Sequence, residues 1–489
     1  MAILCVAMLL VATAWAQQTP SSAPSSAPSS APTVAPSASA PAPDASSAAT
    51  PNGNADFFAA ADDVLAEMSK LLSMPILHPV KKSLRSRDEI RAYLLAQEKK
   101  EKDSAKDYAD QRTLEMFGLL PKDFPLEQTL NDILTEQIAG LYDPDSQEFF
   151  ISDWTEPAEQ RMIMAHELTH ALQDQHYHID AWRDAAKPND DAELARDSVL
   201  EGAAVAAMID YMLRDEGKGV RDLPAVDPSL ILGDTASSPL FSKAPMVIRD
   251  ELLFPYLAGM TFTQAILKAT NGWPDFGRVF ANPPQSTQQI MHPDLYLHGV
   301  TRAPVTLPDF STLLPAEWKQ LDANLMGEFG LQEVLKQFLT ESQALSMAPA
   351  WAGDRYAILE NQQTKQDLLI FRLRLTSEAD AGRFFDLYSD VLESKDKTRT
   401  NLLRRPNFFS FDTPAGGVFL RCVGDECLAA EGTKRDIFDR ITHAMGWPAT
   451  TAPSERAWPT DSAPANITML SPSALPNASK SFAATASPP

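Results

Sequence analysis

Residues 164–172 read Met-Ala-His-Glu-Leu-Thr-His-Ala-Leu, and they constrain the fold more than any other stretch of the 489-residue chain. His166 and His170 stand four apart. On a helix they project from one face, with Cβ atoms close enough to share a metal ion. Glu167 lies about 100° round the helix from His166, where its carboxylate reaches a water on that ion. Ala165, Leu168, Ala171 and Leu172 make the stretch TEPAEQRMIMAHELTHALQDQH a buried amphipathic helix. A histidine pair satisfied by core hydrogen bonds is the plainer account, but it leaves a buried glutamate beside both rings without a cation, which is costly. A metal explains all three residues at once, and zinc is the ion this HExxH spacing takes.

A catalytic zinc has three protein ligands and one open position, so a further ligand is expected downstream. Glu201, in SVLEGAAVAAMI, is flanked by Val199, Leu200, Ala203, Ala204 and Val205, where a carboxylate requires a cation. Gly202 and Ala203 predict close packing of its helix against the His166 helix. Asp197 and Glu193 precede Glu201 at four-residue steps, have charged neighbours and are expected to stay in water. Asp197 is alternatively an orienting partner of a ligating histidine, a role for which Asp174 competes. Glu167 is the expected general base. His292, in STQQIMHPDLY, is the first choice for a donor to the oxyanion, with His176, His298, Tyr142 and Tyr211 as rivals.

HELTH followed by a glutamate on a later helix resembles the gluzincin branch of the zincin metallopeptidases, the group that includes thermolysin. The runs EQIAGLYDPDSQEFF, AHELTHALQDQH, LEGAAV and STQQIMHPDLY are also similar to uncharacterised secreted bacterial proteins placed in that clan. The resemblance covers roughly residues 126–297, and through WAGDRYAILE it touches the last third of the chain. It implies a zinc peptidase, with FISDW forming a sheet-edge strand on which an extended peptide lies. Two departures stand out. Thermolysin has an aspartate four residues after its ligand glutamate, whereas this chain has Val205, and the interval from His170 to Glu201, 201 − 170 = 31 residues, is longer.

The ends set the context. MAILCVAMLLVATAWAQQ is too short to span a bilayer comfortably and closes on Ala14-Trp15-Ala16, so residues 1–16 read as a signal peptide. Export to a secreted or periplasmic location is expected, with no stable membrane insertion after cleavage. Residues 17–54 are nearly all Ser, Ala and Pro, with SSAP repeated in tandem, and residues 449–489 share the bias, so both are expected to be disordered. Removal of Cys5 leaves Cys422 and Cys427 in VFLRCVGDECLAAEG, which reads either as a disulfide-stapled hairpin or as two half-buried thiols. Lys and Arg total 42 against 65 Asp and Glu, giving 42 − 65 = −23, which argues against a nucleic-acid partner.

The pattern predicts an α+β chain. A mainly helical zincin-like metallopeptidase domain with a small β-sheet occupies 55–345, and a smaller α+β sandwich occupies 346–448. DLLIFRLRLT, NFFSFDT and GGVFLRCVG read as strands of the second part, SEADAGRFFDLYSDVLES and TKRDIFDRITHAM as its helices. The expected function is an exported zinc-dependent peptidase acting on a peptide or protein substrate. The alternatives are a non-catalytic zinc-containing binding or scaffold protein, and an HExxH hydrolase of a non-peptide amide or ester.

Overall fold

The computed structural model describes residues 7–8, 51–155, 157–224 and 238–449. The expected signal segment apart from Ala7–Met8, the Ser/Ala/Pro linker as far as Thr50, and the tail from Thr450 lie outside the described residues. The fold is α+β.

Helix α1 (Pro51–Leu72) takes up the last four residues, 51–54, of the expected linker. Strand β1 (Lys81–Arg85) leads into α2 (Arg87–Glu101), which Ser86 and Glu89 start with a reciprocal capping box. The charged stretch 88–112 holds two helices that break at Lys102. Asp103 accepts from the backbone N–H groups of Ala105 and Lys106 and so starts a new helix, α3 (Ser104–Met116). Helix α4 (Leu126–Gln137) is followed directly by the hairpin β2 (Ile138–Asp143) and β3 (Glu148–Ser152). Ile138–Leu141, directly after α4, is therefore strand. Its residues are buried, and pairing with β3 satisfies the backbone groups there.

In the small sheet β3 is not an edge. It lies between β2 on one side and β1, running parallel to it, on the other. The reason lies in polar side chains that strand periodicity does not register. Arg85 donates to Glu148 Oε2 at 2.9 Å and lies 4.0 Å over the Phe150 ring, fastening β1 to β3. The other edge, that of β2, carries the two-residue segment Ala7–Met8, antiparallel, with Ala7 opposite Gly140 and Met8 opposite Ile138.

Three long helices form the centre: α5 (Pro157–Tyr177), α6 (Asp190–Leu213) and α7 (Met246–Ala269). Every residue from Ile163 to Gln175 is buried. Helices α6 and α7 meet backbone to backbone. A Cβ on Gly202 would stand 2.0 Å from the carbonyl carbon of Gly259, and one on Gly259 would stand 2.0 Å from the carbonyl oxygen of Ser198. Gly202 thus serves contact with α7, not the expected packing against the His166 helix. Asn189 caps α6 by accepting from the N–H of Ala192 at 3.1 Å.

The rest of the chain builds a seven-stranded antiparallel sheet from β4 (Trp318–Asn324), helix α8 (Gly327–Phe338), β5 (Trp351–Asn361), β6 (Asp367–Leu375), α9 (Glu378–Lys395), β7 (Thr400–Arg405), β8 (Phe408–Thr413), β9 (Gly416–Val423), β10 (Glu426–Thr433) and α10 (Arg435–Ala444). The strand order is β4-β5-β6-β10-β9-β8-β7. Alternation along β6 shows its two faces: Leu369, Phe371 and Leu373 join the main core with Phe384 and Tyr388 of α9, whereas Leu368 and Ile370 join Phe438 and Ile441 of α10. Cys422 and Cys427 face each other across β9 and β10 and are disulfide-bonded.

The core crosses the expected boundary between 345 and 346. Phe117 packs edge-on against Tyr356 and Phe371, each at 5.5 Å, and residues up to Trp447 form one compact unit. The sheet also begins earlier, since β4 pairs with β5 from Trp318. Among the described residues no helix is long and apolar enough to cross a membrane.

Candidate metal centre

Helix α5 carries His166 and His170 on the face turned toward α6, and the Gly202 contact with α7 fixes α6 so that Glu201 faces them. All three are buried. Nε2 of His166 lies 3.2 Å from Oε2 of Glu201 and 3.2 Å from Nε2 of His170, and the third side, His170 Nε2 to Glu201 Oε2, is 3.4 Å. Ligand atoms about 2.0–2.1 Å from a tetrahedral zinc stand roughly 3.3–3.4 Å apart. The observed triangle therefore matches in both donor type and size, and among the described residues it is the group whose His, Cys, Asp or Glu atoms converge in this way.

The electrostatics agree. Burial alone would lower the His170 imidazole, but the Glu201 carboxylate and its hydrogen bond overcome that and hold it at about 9. Burial would likewise raise Glu201, and the two imidazoles instead hold it well below the usual carboxylate range. Without a cation the group must keep a proton in place of one.

Glu167 is fully buried beside this triangle. Its Oε2 accepts the backbone N–H of Tyr142 on β2 at 2.7 Å, whereas its Oε1 has no partner among the described residues. Burial pushes the carboxyl up, against the pull of the neighbouring imidazoles. Gly140 makes room for this arrangement: a Cβ there would stand 2.6 Å from Ile163 Cγ2 and 3.7 Å from Glu167 Cγ.

The orienting partner of His170 is Gln173, whose Oε1 accepts from Nδ1 at 2.9 Å and so leaves Nε2 as the free lone pair. Neither Asp174 nor Asp197 does this. Asp174 accepts from the Tyr142 hydroxyl at 2.9 Å, and Asp197 accepts no hydrogen bond among the described residues. Sequence reasoning passed over Gln173, although its position three residues after His170 on one helix face was a usable signal. It also passed over Tyr256 of α7, whose ring stacks on His166 with centroids 6.2 Å apart and planes 20° from parallel. The expectation that Asp197 and Glu193 sit in water is corrected, since both are buried where α6 passes under α3 and α7.

The other candidates are engaged elsewhere. His292 Nε2 pairs with Oε1 of the fully buried Glu328 at 2.7 Å and is not part of the converging group. His176 pairs with the Pro75 carbonyl, His298 with the Asp294 carbonyl, and Tyr211 accepts from Arg161.

Residues 315–442 match the model of a family described as Domain of unknown function (DUF8575). The matched stretch covers the seven-stranded sheet and leaves the His166, His170 and Glu201 group outside it. No curated protein and no solved structure matches the chain.

Proposed function

We propose that this chain is an exported zinc-dependent peptidase of the gluzincin kind, with His166, His170 and Glu201 as metal ligands and Glu167 as general base. The observation that carries the reading is the triangle of 3.2, 3.2 and 3.4 Å with the unpartnered Oε1 of a buried glutamate beside it. A structural site takes four protein ligands. The converging group has three, all buried, which favours a catalytic site over a scaffold.

Bound there, zinc supplies Lewis-acid activation of a water and of the scissile carbonyl. The protein's own residues do the rest. Glu167 Oε2 is tied to the Tyr142 N–H, so Oε1 is the atom that accepts a proton and returns it to the leaving nitrogen. The raised pKa of this carboxyl suits both halves of that exchange. His292, first expected as the oxyanion donor, has its Nε2 spent on Glu328.

A peptide substrate is favoured by the edge of β2, which pairs with the extended segment Ala7–Met8 as it would with a substrate strand. Removal of the signal segment would open that edge. The disulfide between Cys422 and Cys427 suits an oxidising compartment. Metal analysis of the full purified chain, combined with cleavage of a peptide library with and without chelator, tests the reading. One zinc per chain and chelator-sensitive cleavage are expected, and a zinc-loaded chain that cleaves no peptide refutes it.

A further inference from the structure

One helical turn before Glu201, α6 borders a cavity of about 140 Å3. Its acidic lining is Asp110 of α3, Asp190, Glu193 and Asp197 of α6, and Glu251 of α7, with Tyr356 of β5 closing one side. Asp197 is 6 % exposed and Glu193 7 % exposed, yet neither carboxylate accepts a hydrogen bond or joins an ion pair among the described residues, and nor does Glu251. The basic groups nearby are committed: Lys106 Nζ lies 3.0 Å from both oxygens of Asp110, and Arg183 lies 3.5 Å from Asp180 and 3.8 Å from Asp184. Tyr356 donates to Asp322 instead of to the cavity acids.

We infer that this cavity is a specificity pocket for a cationic group, ammonium or guanidinium, of the peptide substrate. Two carboxylates more than nine-tenths buried, facing a cavity and accepting no hydrogen bond from the protein there, are matched better by a cation than by water alone. A divalent metal is not the cation that fits, because these acids do not bring three ligand atoms within 4.8 Å of one another as His166, His170 and Glu201 do. An organic cation with several outward-pointing N–H groups bridges dispersed acceptors. The space is ample, since a water needs only about 10–15 Å3. Glu193, Asp197 and Glu201 follow at i, i+4 and i+8 on α6. The pocket thus begins about 6 Å along the helix from the metal ligand, the reach of about two residues of extended peptide. Burial pushes Asp197 up to about 8 against the pull of the Arg183 guanidinium, raises Asp190 against the pull of Lys106, and raises Glu251 as well.

The inference rests on the peptidase reading, and binding and cleavage are measured separately so that each can fail alone. The full chain carrying Glu167→Gln, loaded with zinc, is titrated with fluorescent peptides. One set is acetylated and amidated, with a single lysine walked along a neutral backbone. A second is all neutral and blocked, and a third is neutral with a free amino terminus. Tighter binding by about tenfold or more is expected for the lysine peptides at one position, or for the free amine, and this identifies which source of the cation the pocket takes. Asp197→Asn and Glu251→Gln, each added to that chain and checked for zinc content and melting temperature, should abolish the preference. Equal binding of neutral blocked peptides, no binding of any peptide, or a preference that survives both variants overturns the pocket. Cation-dependent binding without cleavage by the parent chain strikes the peptidase reading and leaves the pocket standing.

Discussion

Replacing Glu167 by Gln should move two observables in opposite directions. The substitution is nearly isosteric, and the amide oxygen can keep the 2.7 Å bond from the Tyr142 N–H. The buried Oε1, which has no partner among the described residues, becomes an NH2 group that carries no charge and takes no proton. Loss of general-base catalysis lowers kcat by at least about 100-fold. Stability changes the other way. Burial raises the Glu167 pKa above its ordinary value of 4.5, so the parent loses stability as pH climbs past that value and the glutamine variant does not. The variant should therefore be the more stable chain at pH 7, read as a higher melting midpoint of the metal-free chain, and the difference should vanish below about pH 4. The assays are steady-state peptide hydrolysis, zinc stoichiometry and calorimetric melting at several pH values. Parental activity in the variant, or loss of zinc with the fold intact, would refute the assignment of Glu167 as base and not ligand.

Further outcomes follow from the same geometry. Glu201→Ala should remove or severely weaken zinc binding, while Asp197→Ala retains it; the reverse result would place the third ligand one turn earlier. His292→Ala should leave kcat nearly unchanged, because its partner is Glu328; a loss of about 100-fold would restore it as the oxyanion donor. Metal binding requires a neutral imidazole. With His170 held at about 9, zinc affinity should rise about tenfold per pH unit up to about pH 9, while the proton-held ion pair stabilises metal-free chain below about pH 6.5 and fades as pH rises through 9; a pH-independent affinity by competition titration contradicts this. Gly259→Ala places a Cβ 2.0 Å from the Ser198 carbonyl oxygen and should cost about 3 kcal/mol in denaturant unfolding.

Local rules within single segments decided what was legible in the sequence. The i, i+4 spacing of His166 and His170 and the apolar run around them are enough, within one stretch of chain, to require a buried helix with two converging imidazoles. The apolar neighbours of Glu201 marked it as the carboxylate in need of a cation. The alternation in DLLIFRLRLT and GGVFLRCVG gave strands, and the hairpin at Cys422 and Cys427 gave a pair close enough to bond. Tertiary contacts decided the rest. Arg85 and Glu148 made a strand of Lys81–Arg85 and turned the expected edge strand into an interior one. Glu193 and Asp197 look solvated beside their charged neighbours in sequence, yet α3 and α7 pack over them. Tyr256 reaches the site from a helix some ninety residues after His166 (256 − 166 = 90). Periodicity along one segment reports which face is apolar. It carries no information about which other segment covers that face, because that choice depends on contacts such as Gly202 against Gly259 that exist only once the helices meet.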